Sequence, residues 1–201
     1  GRLRQMTENA AVVLAENPSV MSLEGTNTWI LRAPGADECV VVDPGPLDEA
    51  HLARVAQVPV AATLISHRHF DHTEGAGRFA ELANCPVHAS SADHRHGGGN
   101  ELSDGDVVEA AGLRIRVLAT PGHTADSLSF VVEDDNSVLT ADTILGRGTT
   151  VLDDTDGDLG DYLRSLRALI GLGPGYTVLP GHGPELDDLE TIARDYLAHR
   201  E

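Results

Sequence analysis

One hexapeptide constrains this chain more than anything else in it: His67-Arg68-His69-Phe70-Asp71-His72, set directly after the apolar run Ala61 to Ser66 and before a helix-like stretch. Four potential metal ligands within six residues, at a corner between a strand and a helix, sit where a rigid scaffold presents side chains to solvent. Chance places an H-x-H-x-D-H pattern in roughly 0.002 of chains with this content of His and Asp, so accident is a poor account of it. In an extended loop His67 and His69 point the same way while Asp71 and His72 address a neighbouring point. One ion could take the first pair and a second ion the other. Each pair is short of the three or four protein ligands of a tetrahedral site, and the chain supplies further candidates. His123 (TPGHT), Asp142 (TADT) and His182 (PGHGP) each follow a strand-like run and lie inside a turn.

Around the motif, short β-branched runs alternate with turn residues. Thr28 to Leu31, Cys39 to Asp43 and Ala61 to Ser66 read as strands, followed later by Leu113 to Ala119, Ser127 to Glu133, Ser137 to Thr140 and Tyr176 to Leu179. Apolar spacing predicts helices over Glu74 to Asn84, Leu159 to Ile170 and Leu186 to His199. Asp134-Asp135-Asn136 marks a hairpin. Ser90 to Asp106 reads as a loop, with His94-Arg95-His96 as a mobile surface segment bordering the cleft. Strands outnumber helices, and helices come late within each half. This predicts a layered α/β fold of two sheets with helices outside. A length of 201 residues predicts one domain, residues 1–201.

Charge narrows the partners. The chain carries 32 acidic and 14 basic residues, a formal net charge of -18, and every basic residue is Arg. Such acidity disfavours sequence-independent attraction to phosphate backbones, although a bound metal or a local Arg cluster can reverse the sign within one cleft. No stretch approaches the roughly 18 to 20 apolar residues of a membrane-spanning helix. The two cysteines, Cys39 and Cys85, read as small reduced core residues, and with no signal-peptide pattern the expected location is cytoplasmic.

The ordered set HRHFDH, PGH, ADT and PGHG resembles the metallo-β-lactamase-fold hydrolases, over nearly the whole chain. The resemblance implies a four-layer αββα sandwich with a dinuclear site at one edge of the two sheets. It implies that His67, His69 and His123 hold one metal, that Asp71, His72 and His182 hold the second, and that Asp142 bridges them. A bridging Asp at 142 is similar to the glyoxalase II, ribonuclease and thioesterase branches rather than to lactam-cleaving enzymes. The later runs LGRGTTV, DYLRSL and YLAHR resemble the branch that includes a β-lactamase-like endoribonuclease and polyketide thioesterases. Members of that branch continue into a winged-helix-like C-terminal domain, so a chain ending at Glu201 is expected to be shortened.

The chemistry so implied is a metal-dependent hydrolysis, with a hydroxide bridging two divalent ions as nucleophile and turnover dependent on Asp71 and Asp142. Zinc is the first expectation, with manganese or iron compatible. The expected substrate is a small-molecule thioester or single-stranded RNA. The alternatives are a mononuclear iron persulfide dioxygenase on the same fold and a non-catalytic metal-binding protein. Metal-bound imidazoles donate their other N–H to a carboxylate or carbonyl, and Asp43 and Asp126 are the candidates for that role. Arg68 and Arg147 are the candidates to meet an anionic substrate.

Overall fold

Strands with apolar side chains on both faces need cover on both sides, and the chain provides it in four layers. The computed structural model describes residues 1–201. The first sheet runs in the order β1 (Leu3–Gln5), β2 (Ala10–Leu14), β3 (Asn27–Leu31), β4 (Cys39–Val42), β5 (Val60–Leu64), β6 (Val87–His88), antiparallel up to β4 and parallel from β4 to β6. The second holds β7 (Val107–Ala110), β8 (Leu113–Ala119), β9 (Leu128–Val132), β10 (Ser137–Ala141) and β11 (Thr177–Pro180), antiparallel except for the pairing of β10 with β11.

Alternation along each strand divides the layers, because successive side chains point to opposite faces. Val40 and Val42 of β4 meet Phe130 and Val132 of β9 in the core between the sheets. Cys39 and Val41 face outward against Leu52 and Val55 of α1 (Glu49–Val55) and Phe79 of α3 (Ala76–Ala83). On the far side Val131, Val138 and Val178 pack under α4 (Leu159–Ile170) and α5 (Leu189–Arg200) through Tyr162, Leu166, Leu169, Leu189 and Ala193. The result is the expected αββα sandwich. No helix is long and apolar enough to cross a membrane, and both cysteines are buried and unpaired.

Several boundaries differ from the sequence reading. The helix expected over Glu74 to Asn84 is α3 (Ala76–Ala83), and an unexpected short helix, α2 (Phe70–Thr73), precedes it and draws the last residues of the ligand motif into a helical turn. A side chain at Gly75 would stand 2.8 Å from the Pro46 carbonyl, and that close approach of the 44–46 turn separates the helices. The last helix begins at Leu189 rather than Leu186, because Leu186 pairs its backbone with Val178 and the Asp188 carboxylate caps the helix at Thr191. β1, β2, β7 and α1 were not expected. The His94-Arg95-His96 segment, expected to be loose, is fastened: His96 exchanges backbone hydrogen bonds with Val87, and Arg95 donates to the carbonyls of Ala89 and Ser90.

Candidate metal centre

Each ligand candidate stands at or just beyond a strand end, and all come from one edge of the sandwich. β5 stops at Leu64, and the chain continues extended through Ser66 and His67, where the Ser66 carbonyl accepts from Leu128 N of the second sheet at 2.8 Å. α2 then turns Asp71 and His72 back toward the same point. From the second sheet come His123 after β8, Asp142 after β10 and His182 after β11. Gly181 makes the last two compatible, since a Cβ there would lie 2.4 Å from Asp142 Oδ1.

The structure brings all seven together in two groups, His67, His69, His123 and Asp142, and Asp71, His72, Asp142 and His182, each compact enough to hold a metal ion. Asp142 belongs to both. Its Oδ2 lies 3.6 Å from His67 Nε2, 3.5 Å from His123 Nε2 and 3.3 Å from His182 Nε2, and its Oδ1 lies 3.3 Å from His72 Nε2. Asp71 Oδ2 is 3.1 Å from His182 Nε2 and 3.4 Å from His72 Nε2. Asp43 also stands close to His67 and His72, but its oxygens already accept from Ser66 N, Ser66 Oγ and the outer nitrogen of His72.

The outer nitrogen of every imidazole is committed as a donor, which leaves the inner one bare. His72 Nδ1 donates to Asp43 Oδ2 at 2.8 Å, His182 Nδ1 to the Gly25 carbonyl at 3.0 Å, His123 Nδ1 to the Val151 carbonyl, and His69 Nε2 to Asp153 Oδ2 at 2.7 Å. His67 Nδ1 donates to Ser66 Oγ at 2.8 Å, because the Ser66 hydroxyl proton is directed to Asp43 Oδ2 at 2.6 Å. Bare nitrogens then face each other, His69 Nδ1 to His123 Nε2 at 3.1 Å and His72 Nε2 to His182 Nε2 at 3.3 Å. His67 Nε2 and Asp142 Oδ1 are buried with no hydrogen-bond partner at all. Buried acceptors aimed at one another are costly unless a cation sits among them. An all-N/O donor set of this kind suits a divalent metal.

The carboxylates of the centre set how readily its imidazoles carry charge. Burial opposes charge on His72, but Asp142, Asp71 and Asp43 outweigh it and hold the ring well above the ordinary imidazole range. His182, also opposed by burial, is raised to about 9, chiefly by Asp142. His67 goes the other way, pushed down by burial and by the neighbouring His72. Asp142 is held well below the usual carboxylate range against its burial, mainly by His72 and His182.

Of the supporting residues expected from sequence, Asp43 does hold an imidazole. Asp126 touches none; its Oδ1 accepts from Arg68 N at 3.3 Å and Thr124 Oγ1 at 2.8 Å, tying together the loops that carry His67 and His123. Arg68 is bound to Asp156 and Thr155, with Asp153 Oδ1 2.8 Å away, so its guanidinium is engaged within the protein. Arg147 pairs with Glu24 at 2.5 Å on the surface. Asp153, Ser66 and the carbonyls of Val151 and Gly25 escaped the sequence reading. Only the cluster Asp153-Asp154-Thr155-Asp156 offered a signal, as an acidic partner for the Arg inside the ligand motif.

Residues 21–182 match the family model described as the metallo-beta-lactamase superfamily. The chain is 33% identical over 206 residues to lactamase-like protein aptB of Emericella nidulans, covering 98% of this chain and 63% of that protein. It is 34% identical over 209 residues to the atrochrysone carboxyl ACP thioesterase of Aspergillus chevalieri, covering 98% of this chain and 64% of that protein. The chain thus spans a little under two thirds of the length of these curated relatives. Its fold is similar to a metallo-beta-lactamase family protein of Thermus thermophilus, with a TM-score of 0.80 at 23% identity over 95% of this chain and 79% of that one.

Proposed function

Since the chain belongs to the metallo-β-lactamase superfamily, we propose that it is a dinuclear metal-dependent hydrolase whose substrate is a thioester, with zinc as the first candidate metal. The observation that carries this reading is the pair of ligand groups sharing Asp142, each with bare nitrogens directed inward. His67, His69 and His123 would hold one ion, Asp71, His72 and His182 the other, and Asp142 would reach both. Bound divalent cations supply Lewis acidity for a carbonyl oxygen and bring the pKa of water down to about 7.

The protein's own residues prepare that chemistry. Asp43, Ser66, Asp153 and two backbone carbonyls hold the rings in one tautomer, so no reorganisation is needed when charge develops. His67, His72 and His182 form a closed floor, while His69 and Asp71 are half-buried and mark the side from which substrate arrives. A thiolate leaves without a proton, so the absence of a dedicated acid among these residues is no handicap for a thioester.

Charge favours the thioester over a phosphodiester. Arg68 and Arg147, the cations expected to meet an anionic substrate, are matched by Asp156 and Glu24 in a protein of net charge -18. Phe70, between His69 and Asp71, and Val151, whose carbonyl accepts from His123 Nδ1, are exposed apolar residues beside the centre and would offer an acyl chain apolar contact. The thioesterase relative is consistent with this choice. The test is metal analysis of reconstituted protein with a panel of acyl-CoA, acyl-glutathione and short single-stranded RNA. Two ions per chain with thioester cleavage is the expected result. One iron per chain, or cleavage of RNA alone, overturns it.

A further inference from the structure

We propose that His51 is a positioning residue for the metal centre, acting through Thr28 on Asp43. This role rests on the reading of the centre as a metal site and adds a layer to it. His51 lies on α1, is buried, and touches none of the seven ligand candidates by hydrogen bond. Its Nε2 is 2.9 Å from Thr28 Oγ1, and that hydroxyl is 2.7 Å from the Asp43 carbonyl oxygen. A carbonyl only accepts, so the Thr28 proton goes to Asp43, and the Thr28 oxygen must accept from His51. His51 is therefore the donor at the head of a chain that ends on the Asp43 backbone.

Asp43 needs that support. It follows β4 with φ of 56°, in the left-handed region that a residue with a Cβ rarely adopts. The carboxylate so oriented accepts from Ser66 N at 2.8 Å, Ser66 Oγ at 2.6 Å and His72 Nδ1 at 2.8 Å. Ser66 Oγ in turn holds His67. One carboxylate thus sets a ring in each ligand group, and a rotation of its backbone would disturb both. The 44–46 turn closes over the support, since a Cβ at Gly45 would stand 3.5 Å from both His51 Nε2 and Thr28 Oγ1.

The other nitrogen of His51 argues against a packing role alone. His51 Nδ1 is buried without a hydrogen-bond partner. An apolar residue would fill the space between α1 and the first sheet without leaving a polar atom stranded. The imidazole is explained by the donor it places on Thr28.

The test compares His51→Leu, His51→Gln, Thr28→Val and the double variant His51→Leu/Thr28→Val. Zinc affinity is read by competition with a chelating dye, cobalt-loaded protein is read by its visible spectrum, and the metal-free proteins are compared by thermal midpoint. His51→Leu is expected to weaken zinc affinity about 3- to 10-fold, less than the roughly 10- to 100-fold typical of partners bonded directly to a metal ligand. His51→Gln, which keeps a donor, is expected to recover most of it. Thr28→Val should match His51→Leu, and the double variant should be no worse than either, as two links of one chain require. Wild-type zinc affinity and cobalt spectrum in His51→Leu overturn the proposal. So does a loss that Gln fails to restore, or one that adds to the loss from Thr28→Val. Wild-type protein that binds no divalent ion overturns the reading of the centre itself and this role with it.

Discussion

The two ligand groups of the centre are built from the same residue types and meet charge in opposite ways. His67 is driven toward its neutral form by burial and by the proximity of His72. His72 and His182, though buried, hold protons tightly because Asp142 stands against both, with Asp71 beside them. The difference is one carboxylate: the first group has three imidazoles and the shared Asp142, the second two imidazoles, Asp71 and the shared Asp142. Metal binds the neutral imidazole. A cation entering the first group would displace no proton from His67 near neutral pH, whereas one entering the second would displace protons from His72 and His182. More negative charge gives the second group the stronger pull on a cation and the stronger competition from acid.

Asp142 is where the contrast collapses, because it serves both groups. Asp142→Ala is expected to lower the metal content of both and to reduce turnover by about 10³-fold or more, since Lewis-acid stabilisation is worth several kcal/mol and each 1.4 kcal/mol or so is tenfold. Asp71→Ala removes a ligand from the second group alone and should leave about one tightly held ion per chain. Metal analysis after dialysis, beside steady-state rates, checks both. If Asp142→Ala loses a single ion and Asp71→Ala loses none, the shared-carboxylate arrangement is wrong.

Acid sharpens the contrast. With His182 raised to about 9, each unit of pH below that value should weaken the second ion by up to about tenfold per proton displaced. The first ion should depend less steeply on pH, because His67 is held toward its neutral form. Competition titrations at pH 6, 7 and 9 check this, and parallel slopes for the two ions would refute it. The metal-free protein should carry the same signature in its stability. A raised imidazole contributes stability that is complete below about 6.5, its unfolded value, and is lost as pH rises through about 9. The depressed carboxylates Asp71 and Asp142 contribute with the opposite sign, above about 3.8, and their contribution is lost only in strong acid. Thermal midpoints of metal-free protein should therefore fall between pH 7 and pH 10, and those of the metal-loaded protein should not.

How much of this was legible in the sequence follows from how local each signal is. The hexapeptide at 67–72 declares itself because its ligands are neighbours in the chain. His123, Asp142 and His182 were found because each follows a strand in a turn, a placement the sandwich turns into a common edge. α1 was missed because it spans seven residues and begins at a cap, Asp48, rather than with a long apolar stripe. β2 was missed because Ala10 to Val13 are buried on both faces and give no alternation. Arg68 was less legible for another reason. Its partners Asp153 and Asp156 are 85 and 88 residues away, and only the folded chain shows the guanidinium paired with both.

Asp153 offers the finest cut between the two groups. It fixes His69 through Nε2, sits beside Arg68 and has no contact with Asp71, His72 or His182. Asp153→Asn keeps a neutral acceptor for His69 and a partner for the 153–156 turn while removing the charge that makes the His69 ring a better ligand. The expected effect is a loss of about 10-fold in the affinity of the first ion, the low end for such partners, with the second ion and its pH dependence unchanged. Zinc titration of the variant resolves the two steps. An equal loss in both would mean that Asp142 couples the groups so tightly that they bind as one unit, and the contrast in proton affinity would then describe the empty centre alone.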